Sequence, residues 1–359
     1  MRSICLSRLR PRGVGRLAFL ALVALVAPLR DAAAHTFCVS TAEELRQALA
    51  EVSDGGAYVD EANRIHLTAG TYLTGGTAFR SEALASTASL DIQGGWRANC
   101  GSVLRPPTGT VLDAQGTSGV LAIVRPQAVV SISRLVLQNG HAEVGAGLQV
   151  NHGVTPAAVV GLYQLLVRNN HASGSGGGMY VAGAAPVNYA PIQINSSLIA
   201  DNTSGGDGGG AYLAITGGGT ARFGSLTVAS NVAAAAGSGG LVASGDQGGY
   251  FLRAVIAWGN TPASLQFGLP SALDWSDVDV IAPGAPLTTD QVVDVDPRFA
   301  DPAAGDYHLG SGTPLVRTGP PILFVPADLD GNAFPPAYGR FNADIGAYQD
   351  TIFLDGNEG

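Results

Sequence analysis

The chain has 359 residues and no lysine; all 19 of its basic residues are arginine. That excludes any mechanism built on a lysine Schiff base or a lysine general base. Against 28 acidic residues the net charge is −9. Binders of nucleic acid need clustered positive charge, so nucleic acid is excluded as a partner. Charged residues make up only 13% of the chain, yet the apolar share is 46%, which fits neither a disordered chain nor a helical bundle. One long apolar run exists, Leu17 to Ala27, and a bilayer-spanning helix needs ~20 residues. No transmembrane span is therefore expected in the mature chain.

That apolar run lies between an arginine-rich start and Ala32-Ala33-Ala34. Basic region, short apolar core and small-residue cleavage site are the parts of a secretory signal peptide, assigned to residues 1–34. The mature protein is expected to start near His35 and to be secreted or held at the cell surface. Losing six Arg and one Asp with the signal takes the net charge from −9 to −14. Cys5 leaves too, and Cys38 and Cys100 are expected to form one disulfide in an oxidising compartment.

One strong helix signal follows. Ser40 and Thr41 each precede a glutamate three positions on, Glu43 and Glu44, and open "STAEELRQALAEV", a capping box on an amphipathic helix. From Ile65 onward, short aliphatic runs alternate with Gly, Asn, Pro and Ser, the punctuation of many short strands.

The runs repeat. "SRLVLQNGHA", "YQLLVRNNHA", "NSSLIADNTS", "FGSLTVASNV" and "RAVIAWGNTP" align with 29 to 32 residues between copies. Ile132, Leu162, Ile194, Phe223 and Leu252 form one column; Leu135, Leu165, Ser197, Leu226 and Val255 a second; Leu137, Val167, Ile199, Val228 and Ala257 a third. The fourth is Gly140, Asn170, Asn202, Asn231 and Asn260. A glycine-led strand follows each of the first four copies: "GAGLQV", "GGGMYV", "GGGAYL" and "SGGLVA". A single unit cannot bury its apolar face alone, whereas stacked units put every column in line, about 4.8 Å apart. Aliphatics then stack inside, and the four Asn form a hydrogen-bonded ladder along one turn. The glycines of "RNNHASGSGGGMYV" thus belong to a repeated bend; a phosphate loop would need a lysine and a following helix. The fold class is all-β: a parallel β-helix solenoid with an N-terminal capping helix and an irregular C-terminal cap.

These features resemble the right-handed parallel β-helix proteins of the pectin-lyase-like group, more narrowly secreted bacterial members with a recurrent C-terminal module of the choice-of-anchor type. "FCVSTAEELRQAL" and "IHLTAGTY" are similar to that family's capping helix and first coil, and "LDIQGGWRANC" with "TVLDAQG" to its next turns. "DVDPRFADPAAGDYHLGSGTPLV", "DLDGN" and "DIGAY" follow the order of its C-terminal module. Two positions depart from it: Arg317 stands where relatives carry an acidic residue, and Ala333 where they carry an arginine. The resulting division is 1–34 signal peptide, 35–105 N-terminal cap and first coils, 106–286 repeats, 287–350 C-terminal capping module over the far end, and 351–359 tail.

The fold hosts lyases, hydrolases, esterases and non-enzymatic surface proteins, so residues must decide. The N-T-D, D-D, G-H-G and R-I-K motifs of β-helix polygalacturonases are absent, as are the W-I-D-H-like and R-x-P-x-x-R motifs of pectate lyases. Arg134, Arg168, Arg222 and Arg253 fall in no common column, and no cluster of Asp and Arg on one face across adjacent coils is evident. No catalytic residue is assigned. "DWSDVDV" (Asp274, Asp277, Asp279) and "DLDGN" (Asp328, Asp330, Asn332) are acidic loops; the second has the shape of an oxygen-ligand turn for a structural calcium, and equally of an Asx turn. No other cofactor is implied. His141 and His171 match between repeats without an evident third ligand. Tyr180 and Tyr212 also match, and if Met179 and Val181 point inward both rings face out as a sugar contact. The expected function is non-catalytic adhesion to, or binding of, extracellular polysaccharide or a cell surface. The alternatives are a polysaccharide-degrading enzyme, in the first place a lyase, or a purely structural surface protein.

Overall fold

The computed structural model describes residues 34–153, 158–184, 192–320, 327–335 and 342–349. The segment expected to be a signal peptide, apart from Ala34, and the tail lie outside the described residues. The repeats form a parallel β-solenoid. A long sheet runs through His35–Val39, Asn63–Thr68, Leu90–Trp96, Val130–Gln138, Val160–Arg168, Ile192–Ala200, Thr220–Ala229, Gly249–Trp258, Ser271–Val278 and Leu287–Val293. A seven-stranded sheet runs from Phe79–Glu82 to Leu265–Phe267, and two-residue strands build a short sheet between them in sequence. The described residues form one compact unit.

Register follows the sequence columns: Ile132 pairs with Leu162, Leu162 with Ile194, Ile194 with Phe223 and Phe223 with Leu252. A flat strand would bury every second residue, yet Ile132 and Leu135 are both buried. The intervening Arg134 has φ 60°, and its equivalents Gln164, Ser196, Ser225, Ala254, Trp275 and Gln291 all have φ between 48° and 57°. One left-handed residue per coil bends the strand and resets its alternation, dividing the long sheet into two halves. A second left-handed position (Asn139, Asn169, Asp201, Ser230, Gly259) precedes each member of the fourth column.

That column is a continuous ladder. Asn170, Asn202 and Asn231 each donate from both N–H and Nδ2 to the Oδ1 of the next asparagine at 2.9–3.0 Å. Each Nδ2 also reaches a carbonyl of the preceding coil. The Gly140 N–H begins the ladder on Asn170, and Asn260 ends it on Ser264, which donates to Asp279.

At the N-terminal end the helix Ala42–Glu51 starts at Thr41, whose side chain accepts the Glu44 N–H at 3.2 Å, while the Glu44 carboxylate accepts the Ser40 N–H at 2.7 Å. Leu45, Ala48 and Leu49 join the solenoid core beside the terminal strands of both sheets. Cys38 and Cys100 are disulfide-bonded.

The C-terminal region differs from expectation. Leu287–Val293 adds the last strand of the long sheet, after which the described residues pack back along the solenoid flank and none of them closes its far end. Tyr307, Leu315, Leu329, Ile345 and Ala347 pack on Leu198, Ala200, Ala229 and Ile256. Hydrogen bonds fasten the cover: the Gly346 N–H to Ala254 O, the Ala347 N–H to Thr227 Oγ1, and Gln164 Nε2 to Asp328 O. The outer face of the second half-sheet carries Leu198, Ala200, Ala229 and Ile256, and the cover removes this apolar surface from water. Among the described residues the last coil stays uncovered, with Val280, Ile281 and Val293 38–46% exposed.

Candidate functional site

With the second half of the long sheet covered, its first half keeps an open outer face. Residues flanking the first core column point outward in two rows. One carries Gly161, Gln193, Arg222 and Phe251; the other Tyr163, Asn195, Gly224, Arg253, Asp274 and Asp290. The Tyr163 ring lies across Gly161, where an added Cβ would fall 2.5 Å from the ring, and its hydroxyl bonds Gln193 Oε1 at 3.2 Å. Burial pushes the Tyr163 phenol above its usual pKa. Gly224 leaves a notch beside Asn195 Oδ1, 2.8 Å from where its Cβ would stand.

Arg222 is exposed and has no hydrogen-bond or ion-pair partner among the described residues. Phe251, opposite it in register, is 48% exposed. Arg253 Nη1 lies 3.6 Å from Asp274 Oδ2. Burial raises the Asp274 pKa against the pull of Arg253, and Asp290 on the next strand raises it further. The expectation of no Asp and Arg cluster across adjacent coils is thus corrected: Arg222, Arg253, Asp274 and Asp290 share one face of four successive strands. Arg253, Asp274 and Asp290 share one row and Arg222 stands in the other. Arg134 and Arg168 do not join them. Arg134 is buried and donates to Leu104 O, and Arg168 Nε donates to Gln138 Oε1 at 3.1 Å.

No protein-family model and no curated protein matches the chain. The functional reading therefore rests on the chemistry of its surfaces.

Tyr180 and Tyr212 pair in register on the seven-stranded sheet, rings parallel within 3° and centroids 5.5 Å apart, while Met179 and Val181 are buried. Both rings are half-buried. The glycine link runs against them: a Cβ on Gly145 or Gly176, both at positive φ, would meet the Tyr180 Cβ at 2.9 or 3.1 Å. Each ring covers part of its neighbour's face, so edges and hydroxyls are what the pair offers a ligand. His141 and His171 stack at 5.1 Å, and His171 Nδ1 is 2.7 Å from Thr203 Oγ1.

The acidic loops are largely engaged by the protein itself. Asp328 is buried; its Oδ1 accepts the N–H groups of Asp330 and Asn332, and its Oδ2 accepts Asn332 Nδ2 and the Gln349 N–H. Asp330 Oδ2 takes His308 Nε2 at 2.7 Å. Asp274, Asp277 and Asp279 diverge into the open face, the buried flank and the end of the ladder. Among the described residues, no group of three or more His, Cys, Asp or Glu is arranged to hold a metal ion, and no helix is long and apolar enough to cross a membrane.

Sequence reasoning missed the arrangement at His308. Its Nδ1 is 2.5 Å from Asp306 Oδ1 and its Nε2 is 2.7 Å from Asp330 Oδ2, with the ring 3.9 Å from that of Tyr348. The Asp330 bond, then Asp306, raises its pKa to about 9 despite burial. "GDYHLG" and "DLDGN" are 22 residues apart, and no local pattern links them.

Proposed function

We propose that this chain is an extracytoplasmic, non-catalytic solenoid that binds polysaccharide along the open face of the long sheet, serving adhesion or capture. The observation that carries this reading is the open face on which Tyr163, Gln193, Asn195, Arg222, Phe251 and Arg253 stand in two adjacent rows across four successive strands. Aromatic rings supply apolar contact for sugar faces, and Asn, Gln and Arg supply hydrogen bonds for hydroxyls and carboxylates. Strands ~4.8 Å apart repeat these groups at close to the length of one sugar unit. Tyr180 and Tyr212 form a second, smaller contact on the other sheet. The disulfide suits an oxidising compartment, and the likeness to secreted pectin-lyase-like proteins points the same way. A structural calcium at Asp328, Asp330 and Asn332 would have to displace hydrogen bonds already made there.

The cluster of Arg253, Asp274 and Asp290 favours a second reading, a polysaccharide lyase or hydrolase, since an arginine beside two carboxylates can bind a uronate and exchange a proton. In the resting arrangement Arg253 is committed to Asp274.

Affinity electrophoresis against a panel of neutral and uronate polysaccharides separates the readings. Retardation lost in Arg222→Ala with Phe251→Ala supports the open face; retardation lost only in Tyr180→Ala with Tyr212→Ala moves the site to the other sheet. Release of unsaturated uronides, followed by ultraviolet absorbance with calcium present and abolished by Arg253→Ala, would overturn the non-catalytic reading. Absence of any retardation would favour a purely structural role.

A further inference from the structure

The C-terminal region holds a cleft of about 660 Å³, within the range of small-ligand sites. Three segments converge on it: the end of the hairpin from His308 to Thr313, the Asp330 turn, and Asp344 to Gln349. All lie outside the coils and away from the residues of the open face.

The lining is fixed before any ligand arrives. His308 is held at both ring nitrogens by Asp306 and Asp330, and with two carboxylate acceptors it is a doubly protonated imidazolium. It cannot serve as a base, but it fixes Asp330 Oδ2 in place. Asp330 Oδ1 has no hydrogen-bond partner among the described residues. Arg298 Nη1 donates to Gly312 O at 2.9 Å and anchors the hairpin end, while Ser311 and Thr313 also line the cleft, with Thr313 Oγ1 accepting the Leu315 N–H at 3.3 Å. Charges of both signs border the cleft: Asp330 and Asp306 on either side of His308, and Arg298 at Gly312. Burial raises the Tyr348 phenol pKa first, and Asp330, Asp306 and Asp328 raise it further.

We infer that this cleft binds a single sugar unit, uncharged or bearing an amine. A pre-set carboxylate with one oxygen left open accepts hydroxyl or ammonium donors, lining hydroxyls add to a polyol contact, and that carboxylate repels carboxylate and phosphate groups placed against it. This site stands independently of polysaccharide binding on the open face.

Ligand-observed NMR titration of the full chain with glucose, galactose, N-acetylglucosamine, glucosamine and galacturonic acid tests it. At least one neutral or amino sugar should bind saturably in the millimolar range, and galacturonic acid should bind weakest. Asp330→Asn should weaken that binding by roughly tenfold, about 1.4 kcal/mol. Because this change also loosens His308, Ser311→Trp provides a second variant: it fills the cleft mouth without touching the clamp and should abolish binding at an unchanged melting temperature. The titrations are made in an Arg222→Ala background, which removes the unpartnered arginine of the open face. Saturation by none of the sugars, tightest binding by galacturonic acid, or binding that persists in Ser311→Trp would overturn the inference.

Discussion

Asn202 gives both its N–H and its Nδ2 to a single atom, Asn231 Oδ1, at 2.9 Å each. Its own Oδ1 accepts the same pair of bonds from Asn170, and its Nδ2 also reaches the carbonyls of Val167 and Ala200. The residue is fully buried. Asn202→Ala leaves several of these groups unpaired in a dry turn, at ~1–3 kcal/mol for each buried group left unsatisfied. We expect a loss of about 3 kcal/mol or more by urea denaturation. Asn202→Asp, which keeps the acceptor but loses the donor and adds charge, should cost at least as much. A loss below ~1 kcal/mol for Asn202→Ala would remove the ladder from any account of stability.

Among the described residues Arg125 is the largest fully buried side chain; its guanidinium donates to Val52 O at the end of the first helix and to Ala88 O. Burial lowers its pKa to about 10, against the pull of Asp54, so it is charged under physiological conditions. Replacing a buried ion by an apolar side chain is often neutral, but here two carbonyls would lose their donor. Arg125→Met should therefore destabilise by ~1–3 kcal/mol, with the N-terminal helix and cap exchanging amide hydrogens before the central coils. Uniform exchange across the solenoid would contradict this.

The aliphatic and asparagine columns were legible in the sequence because each, apart from Ser197 and Gly140, keeps one side-chain chemistry and recurs near one period. The bend between the first two columns was not: Arg134, Gln164, Ser196, Ser225, Ala254, Trp275 and Gln291 share a backbone conformation but no side-chain chemistry. Without it, the reset of alternation has no visible cause, although Arg222 beside Phe223 and Arg253 beside Leu252 already flank core positions. The fold-back of the C-terminal region was hidden for a different reason. It depends on contacts such as Gln164 to Asp328, 164 residues apart, and on an outer face that looks apolar only once the bend is known.

Asp277 is buried under the C-terminal cover, with Oδ1 accepting the Val295 N–H at 3.0 Å and Oδ2 without a partner. Burial, with Asp294, Asp279 and Asp296 nearby, raises its pKa from 3.8 to about 7. The folded state thus holds this proton more tightly than the unfolded state, and stability falls as pH rises from about 4 to about 7. At ~1.4 kcal/mol for each pH unit between the two values, a few kcal/mol are at stake. Asp277→Asn should flatten this part of the stability profile and raise the melting temperature at neutral pH. An unchanged profile would show that Asp277 does not govern attachment of the cover.

His308 acts in a higher window with the same sign. Its folded pKa of about 9 exceeds the ordinary 6.5, so its clamp contributes fully below pH 6.5 and is lost as pH rises through 9. Its side chain is 45% exposed, which limits the stability at stake. The clearer readout is the imidazole itself: NMR titration should show it protonated at neutral pH in the parent chain, with the midpoint falling toward 6.5 in Asp330→Asn. A midpoint near 6.5 in the parent would contradict the clamp.

Gly161→Ala tests the open face without removing any of its functional groups. The new methyl would sit 2.5 Å from the Tyr163 ring, so the ring must leave its seat and its bond to Gln193 must break. The backbone here is extended strand, where alanine is at no disadvantage to glycine, and the displaced ring can swing into solvent. Stability should change by less than ~1 kcal/mol, whereas polysaccharide retardation should fall several-fold. If retardation stays at the parental value while the Tyr163 ring has demonstrably moved, the aromatic seat is not a contact, and binding on this face would have to rest on Arg222, Phe251 and Arg253 alone.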